Sequence, residues 1–425
     1  MKTLSNGVRL VFVPMEGVES VSVSVFVGCG GRYESDKVAG ISHFLEHMVF
    51  KGTKSFPTYD DVHVVERLGG AMNAYTDIDA TKFYAKVLSV DWKVTLDVIS
   101  DLVLSPLLPQ KEFDPERKVI IEEMAMHEDD LPWKAEEVYH QLTFSGSSLG
   151  TRIIGTRESL MQIDRDVMSE FRKKMYKSGN IVVVISGKIT EKEKIESRVK
   201  ELFESLPASD NGGFTPFRDG QDKSRVIVIE KPKAEQANLI MGFKVCGRLS
   251  DDKYPLQVLN LILGSGFTSR LYRKIREEKG LCYSIYSGMS NYSEIGEWSV
   301  SAGLNLDRLD EAIDEILAQL KLFLDKGADL QEVETAKKRF SAAAAFQMES
   351  PDRLGEFYGR QVLMGEKVLT VHEYLERITS VTASQVLGVA RKYFDMKKIN
   401  LALVGKYKKE KAEEQLLKRL GFSGH

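Results

Sequence analysis

The sequence has few cysteines and almost no excess of charge of either sign. Its three cysteines, Cys29, Cys246 and Cys282, have neither C-x-x-C spacing nor an even number, so a disulfide framework is not expected. A reducing compartment is the natural location for such a chain. Lys and Arg total 59 and Asp and Glu total 62, so the formal net charge is −3. This near balance argues against nucleic acid or an anionic membrane as a partner.

Long apolar runs are also missing. The first seven residues lead directly into the alternating segment 8–13, without the apolar core of a signal peptide or an Arg-rich transit helix. No apolar run is long enough to span a bilayer. From these features we expect a cytoplasmic protein with no membrane partner. A hydrophobic content of 43% in 425 residues is typical of a globular chain with two or three domains.

Histidine is scarce, and two of the seven histidines stand in one pentapeptide, His43-Phe44-Leu45-Glu46-His47. Read as a helix, His43 and His47 share one face and Glu46 lies beside them. Two imidazoles at this spacing can hold one divalent metal, and the Glu is placed to act on a water molecule at that metal. The H-x-x-E-H order is the inverzincin signature. Two helix histidines packed beside a solvated Glu are the alternative; because histidine is so rare here, we favour the metal site.

A catalytic zinc site usually has three protein ligands, so a third ligand is expected from a neighbouring helix. A helix is predicted downstream, with Asp114 as its N-cap and Pro115 at its first position. Glu116 and Glu123 are seven residues apart and therefore lie on one face. Glu122 is expected on a solvated face. The periodicity favours Glu123 as the ligand but does not decide between the two neighbours.

The motif, the downstream Glu and the Glu-Asp-Asp that follows it resemble the pitrilysin family of zinc peptidases. Within that family the chain is most similar to the short two-domain branch that includes mitochondrial processing peptidase and its bacterial relatives. The resemblance covers nearly the whole chain. It implies that His43, His47 and Glu123 hold one zinc ion per chain, that Glu46 is the general base and that Glu116 assists near the metal.

The two halves of the sequence carry the same pattern of strands. In the first half, alternating or apolar runs predict strands at about 8–14, 20–28, 71–76, 81–87 and 181–187. In the second half, runs at 225–230, 236–243, 280–286 and 399–405 repeat the first, second, third and last of these. This internal repeat predicts an α+β fold with two domains of one design. The family resemblance implies that each is a mostly antiparallel sheet with helices packed on one face.

The composition predicts where the two domains meet. A zinc-binding domain is expected at 1–207, a linker rich in turn-forming residues at 208–222 and a metal-free domain at 223–425. In the second domain, the apolar segment 256–264 occupies the position that corresponds to the zinc helix in the repeat, and it contains no metal-ligand residues. The adjoining segment 264–269 is rich in Gly and Ser but lacks the Gly-Lys-Ser/Thr ending of a phosphate-binding loop, so nucleotide binding is not expected.

Four further residues are predicted from the resemblance to contact the substrate. Arg276 and Tyr283 match the family's Arg/Tyr pair, which contacts the substrate backbone and the oxyanion near the zinc. From the sequence alone, an interdomain ion pair and a core tyrosine are the preferred interpretation; with the resemblance, the substrate-binding role is preferred. Asn73 and Ala74 match the positions that bind the substrate backbone, on which the substrate is expected to lie as an added strand.

These features predict a zinc metalloendopeptidase that cleaves peptides or unfolded polypeptide segments inside a closed chamber. A non-catalytic scaffold or partner subunit of a peptidase-like complex is the alternative, and a metal-storage or sensor module does not explain Glu46. A two-domain chain supplies half of the four-domain chamber found in the family's long members. The resemblance therefore implies a homodimer with composite active sites.

Overall fold

The protein is described by a computed structural model that covers residues 1–209, 213–407 and 409–421. The chain forms two compact units. The first consists of Met1–Met124, Thr151–Thr215 and Ala345–Thr370. The second consists of Ala125–Gly150, Pro216–Ala344 and Val371–His425. Among the helices of the described residues, none is both long enough and apolar enough to cross a membrane.

In the described residues, groups of strands and groups of helices follow one another along the chain. The strands are β1 (Lys2–Thr3), β2 (Arg9–Pro14), β3 (Ser20–Val27), β4 (Ala71–Thr76), β5 (Thr81–Leu88), β6 (Ile181–Gly187), β7 (Arg225–Glu230), β8 (Gln236–Cys246), β9 (Cys282–Asn291), β10 (Ile295–Asn305) and β11 (Asn400–Gly405). The helices are α1 (Ile41–Val49), α2 (Tyr59–Val62), α3 (Val64–Arg67), α4 (Trp92–Leu104), α5 (Gln110–Asp129), α6 (Leu131–Thr143), α7 (Arg157–Leu160), α8 (Arg165–Met175), α9 (Lys192–Phe203), α10 (Lys253–Leu263), α11 (Leu309–Lys326), α12 (Leu330–Met348), α13 (Pro351–Leu363), α14 (Val371–Thr379), α15 (Ala383–Tyr393) and α16 (Lys409–Arg419).

Each unit contains one sheet, and the two sheets have the same topology. The first has the order β1-β2-β6-β3-β5-β4 and the second the order β7-β11-β8-β10-β9. Apart from β1, the strands correspond one to one. In both sheets the first two corresponding strands are parallel and all other neighbours are antiparallel. The predicted α+β fold class and the internal repeat are therefore confirmed.

The central strands of each sheet have helices on both faces, so there is a second helical layer besides the one that the resemblance implied. In the first unit, alternate residues of β3 pack into a large core with helices that include α1 and α4. On the opposite face, Val182 and Val184 of β6 pack against Val362 and Leu363 of α13. In the second unit, α6 packs in the same way on β11 and β8. A central strand that is an unbroken apolar run, such as β6, is typical of a sheet covered on both sides.

The helices α6 and α13 explain where the compact units depart from the predicted boundaries. Residues 125–150 precede the predicted linker but belong to the second unit, and residues 345–370 follow it but belong to the first. Each segment carries one helix whose apolar side is buried on the sheet of its own unit. The division of the chain into 1–207, 208–222 and 223–425 stays a prediction about domains.

The predicted start of the second metal-site helix is wrong. The helix α5 begins at Gln110, and Pro115 lies inside it rather than at its first position. Phe113 is buried in the turn before the proline, and its ring lies 5.6 Å from that of Phe44 on α1. This packing holds a helical turn in front of a proline, where the local sequence alone favours a helix start.

Candidate metal centre

The metal motif lies on α1, whose N-terminus is held by the half-buried carboxylate of Glu34. The two oxygens of Glu34 accept hydrogen bonds from the backbone N–H groups of Gly40, at 2.6 Å, and of Ser42, at 2.8 Å. Gly40 has φ +91°, and a Cβ atom there would lie 2.7 Å from the carbonyl oxygen of Ile154. Only glycine fits this left-handed position and close approach. The start of the metal helix is therefore fixed independently of its ligands.

The two faces of α1 have different roles. Phe44, Leu45 and Met48 are buried in the core of the first unit. His43 and His47 lie on the other side of the helix, half-buried, and their ring centroids are 4.6 Å apart. The apolar face thus anchors the helix while the polar face presents both imidazoles in one direction, as the four-residue spacing predicts.

The helix α5 presents its carboxylates to α1 by the same division of faces. Phe113, Ile120 and Met124 are buried in the core, at spacings of seven and four residues. Glu116 is also buried, whereas Glu123 is half-buried. The apolar side chains set the rotation of the helix and so place both carboxylates beside the motif.

The structure brings His43, His47 and Glu123 together in one group. The Nε2 atoms of His43 and His47 lie 3.8 Å and 3.7 Å from the two carboxylate oxygens of Glu123. One donor atom from each side chain lies within 4.8 Å of the other two. Ligands of a tetrahedral zinc ion, each about 2.0–2.2 Å from the metal, lie about 3.3–3.5 Å from one another. The three side chains fit a zinc ion after small rotations. Glu122, by contrast, is exposed.

Glu116 holds one of these histidines rather than adding a fourth ligand. Its Oε1 atom lies 2.8 Å from Nδ1 of His47, and its Oε2 atom is paired with the ammonium group of Lys51. A hydrogen bond donated by Nδ1–H leaves the lone pair of Nε2 free for a metal. Burial alone would lower the pKa of His47, but the hydrogen bond to Glu116 and the neighbouring carboxylates outweigh it and raise that pKa. The site therefore attracts positive charge.

Glu46 lies beside the three-residue group and is held by a residue that the motif does not contain. Thr76 Oγ1 donates a hydrogen bond to Oε2 of Glu46 at 2.6 Å. Burial raises the pKa of Glu46, and the hydrogen bond from Thr76 opposes this change. The carboxylate is thus a half-buried proton acceptor with one oxygen held in place.

The other predicted residues lie at sheet edges or near them. Asn73 and Ala74 belong to β4, the edge strand of the first sheet, where Asn73 is exposed and its Oδ1 accepts the N–H of Ala74 at 2.8 Å. In the second unit, Tyr283 lies near the start of the edge strand β9 and is 76% exposed, so its interpretation as a core tyrosine is wrong. Arg276 is half-buried on the π-helical turn Tyr272–Glu278, over the ring of Tyr272 at 4.8 Å.

Three contributors to the site were not predicted from the sequence. Lys51 follows His47 by four residues, and this helical spacing was a usable signal for it. Thr76 ends a predicted strand and Glu34 lies in a loop, so neither has a spacing that relates it to the motif. Only the folded chain brings them to α1.

A centre of two imidazoles and one carboxylate, with a further carboxylate beside it, is typical of hydrolytic metalloenzymes. Comparison with protein families agrees with this class. Residues 10–157 match the family described as Insulinase (Peptidase family M16), and residues 162–340 match the Peptidase M16 inactive domain. The chain belongs to peptidase family M16, and its general function is that of a protease.

Two bacterial proteins are similar to this chain over most of their length. The uncharacterized zinc protease YmxG of Bacillus subtilis is 32% identical over 395 residues, which are 92% of this chain and 95% of that protein. The uncharacterized zinc protease SCO5738 of Streptomyces coelicolor is 29% identical over 416 residues, which are 96% of this chain and 90% of that protein. The predicted family and the short two-domain size are confirmed.

Two solved structures have the same fold. A protease from Helicobacter pylori has a TM-score of 0.89 at 23% identity, covering 95% of this chain and 98% of its own. A structure described as a peptidase M16 inactive domain, from Pseudomonas fluorescens, has a TM-score of 0.88 at 17% identity, covering 96% of this chain and 98% of its own.

Proposed function

We propose that the protein is a zinc-dependent metalloendopeptidase that cleaves peptides or unfolded polypeptide segments. The observation that carries the proposal is the position of Glu46 beside the group of His43, His47 and Glu123. A metal-storage site needs ligands but no additional held carboxylate. The relatives named zinc proteases and the geometry of the three ligands both support the predicted zinc cofactor.

The side chains around the site divide the work of peptide hydrolysis. The chemistry that a bound zinc ion supplies is that of a Lewis acid, which acidifies water and polarises the scissile carbonyl group. Glu46 accepts the proton of the attacking water and passes it to the leaving amine. Glu116 keeps the tautomer and orientation of His47. The attack, the proton transfer and the ligand geometry thus depend on different residues.

The substrate is proposed to bind as an added strand along β4. This strand is the edge of its sheet, and Asn73 and Ala74 lie in its middle. Strand addition recognises the main chain and leaves side chains to pockets, so varied sequences can bind. The Asn73 side chain occupies the N–H of Ala74, and an arriving strand would replace this local bond by an intermolecular one.

The proposed active form is a homodimer whose sites combine residues of both chains and lie within a closed chamber. By resemblance to the family, Arg276 and Tyr283 stabilise the oxyanion, and in the dimer they act on the zinc site of the partner subunit. The exposure of the Tyr283 side chain leaves its hydroxyl available for this role. A cytoplasmic location and the lack of nucleic-acid and membrane partners remain predictions.

The test combines zinc analysis with cleavage of a library of quenched fluorogenic peptides. We expect one zinc ion per chain and cleavage by the wild type. We expect Glu46→Gln to keep the metal and the fold but to lose nearly all turnover, because Glu46 is not a ligand. Glu66→Gln, an exposed carboxylate on α3, serves as the control. A zinc-loaded wild type that cleaves no peptide would favour the non-catalytic scaffold, and loss of zinc in Glu46→Gln would contradict its assignment as the base.

A further inference from the structure

A hydroxyl group from the end of the edge strand is hydrogen-bonded to the proposed base. Thr76 is the last residue of β4, and its Oγ1 atom lies 2.6 Å from Oε2 of Glu46. A hydrogen bond from a hydroxyl to a carboxylate at this distance is charge-assisted and among the stronger bonds of a protein. The bond joins two elements that are 30 residues apart in sequence. It is therefore a product of the fold, not of the motif.

The contacts of Thr76 indicate that its hydroxyl hydrogen is donated to Glu46. On the paired strand β5, the hydroxyl of Thr81 lies 3.4 Å from that of Thr76, but Thr81 donates its own hydrogen to the carbonyl oxygen of Cys29 at 2.9 Å. A hydroxyl has only one hydrogen to donate. With that of Thr81 committed to Cys29, the hydrogen of Thr76 goes to the carboxylate, which is the stronger acceptor.

The Glu46 carboxylate needs a hydrogen-bond donor to fix its position, because its side chain is flexible and a like charge is close. A glutamate side chain has several rotatable bonds and loses much rotamer freedom when it is fixed. Glu46 also stands near the like charge of Glu123, which disfavours a second carboxylate close to the ligands. Thr76, by contrast, is β-branched and lies on a paired strand, so its side chain has little freedom. The rigid Thr76 side chain therefore holds the flexible Glu46 side chain in place.

We infer that Thr76 is the positioning residue of the proposed base: its hydroxyl holds Oε2 of Glu46 and so directs Oε1 towards the water that is to be deprotonated. This inference rests on the proposed function. Thr76 acts through Glu46 and touches neither the reacting atoms nor the ligands. A displacement of about 1 Å in a catalytic group can reduce a rate about 100-fold, so loss of the bond should be visible in kcat.

The test compares Thr76→Val, which keeps the shape and removes the donor, with Thr76→Ser, which keeps the donor. On a fluorogenic peptide that the wild type cleaves, we expect Thr76→Val to lower kcat by about 10- to 100-fold, with KM and zinc content unchanged. Thr76→Ser should retain most of the wild-type kcat. Thr95→Val removes a buried hydroxyl that donates to the carbonyl oxygen of Asp91, the N-cap of its own helix, and it should leave kcat unchanged. If Thr76→Val misfolds, Thr76→Ala replaces it.

Two further measurements separate positioning from a general structural effect. In the Glu46→Gln background, Thr76→Val should cause no additional loss of residual activity, because both changes disable the same group. In crystal structures of the metal-free variants, the Glu46 carboxylate should be displaced in Thr76→Val and unchanged in Thr76→Ser. Wild-type kcat in a folded Thr76→Val or Thr76→Ala variant would overturn the inference alone. An inactive wild type would overturn the proposed function as well.

Discussion

Oε1 of Glu116 lies 2.8 Å from Nδ1 of His47, a hydrogen bond that connects two helices across 69 residues of sequence. When a histidine ligates a metal through one ring nitrogen, a hydrogen bond donated by the other ring nitrogen fixes the tautomer and makes the ligand more basic. The site can therefore lose function without losing any of its three proposed ligands.

The first prediction follows from this bond. Glu116→Gln removes the charge that supports His47, and we expect zinc to bind about 10- to 100-fold more weakly. Competition with a chromophoric chelator measures the change. Glu112→Gln, one turn earlier on α5, is the matched control and should bind zinc like the wild type. Equal zinc affinity in both variants would show that Glu116 does not support the ligand.

The second prediction concerns the choice between adjacent glutamates. Adjacent residues of a helix point about 100° apart, so only one of Glu122 and Glu123 can face the histidines. Since Glu123 lies within 3.8 Å of His43 and Glu122 is exposed, we expect Glu123→Gln to lose most of its zinc affinity and Glu122→Gln to keep it. The same chelator competition decides the matter, and a larger loss in Glu122→Gln would reverse the assignment.

The third prediction tests the composite site of the homodimer. Glu46→Gln and Tyr283→Phe proteins are each expected to be inactive. Mixed dimers should regain one intact site, because the Tyr283→Phe chain supplies Glu46 and the Glu46→Gln chain supplies Tyr283. With random exchange, about a quarter of wild-type activity should return. The fluorogenic peptide assay measures it after subunit exchange has been shown.

A second mixture controls for recovery by other routes. Glu46→Gln and His47→Ala both damage the zinc side of the site, so their mixed dimers contain no intact site and should stay inactive. If the first mixture also stays inactive although its subunits exchange, the proposal of a shared site is wrong. Each chain then supplies all the residues of its own site.

The fourth prediction uses the Glu34 carboxylate, which caps the metal helix. Burial raises the pKa of Glu34 from 4.5 to about 7, against the opposing effect of its backbone hydrogen bonds. The folded state therefore holds this proton more tightly than the unfolded state. The contribution to stability is complete below pH 4.5 and is lost as the pH rises through 7. A difference of this size corresponds to about 3 kcal/mol.

Glu34→Gln should remove this pH dependence. We expect the difference in unfolding free energy between the wild type and Glu34→Gln, measured by urea denaturation without metal, to shift in favour of the variant by about 3 kcal/mol between pH 4 and pH 8. Titrations common to both proteins cancel in this difference. A difference that is constant over the whole range would show that Glu34 does not titrate between these pH values.

Much of the fold follows from local patterns. The predicted strands at 71–76 and 181–187 coincide with β4 and β6, because alternation and apolar runs are properties of the local sequence. The repeat predicted a second domain of the same design, since the same pattern buries the same faces. The start of α5 was missed because the packing of Phe113 outweighs the local preference at Pro115.

The sequence by itself determined the facing pair His43 and His47, since helical spacing fixes which side chains share a face. Only the tertiary structure decided the partners of that pair. The hydrogen bond of Thr76 to Glu46 and the cap of α1 by Glu34 join segments with no common periodicity. The tertiary structure also decided that the helix α13, which follows the predicted linker in sequence, belongs to the first unit. Burial of apolar faces brings such segments together, and this depends on the whole chain rather than on any local stretch.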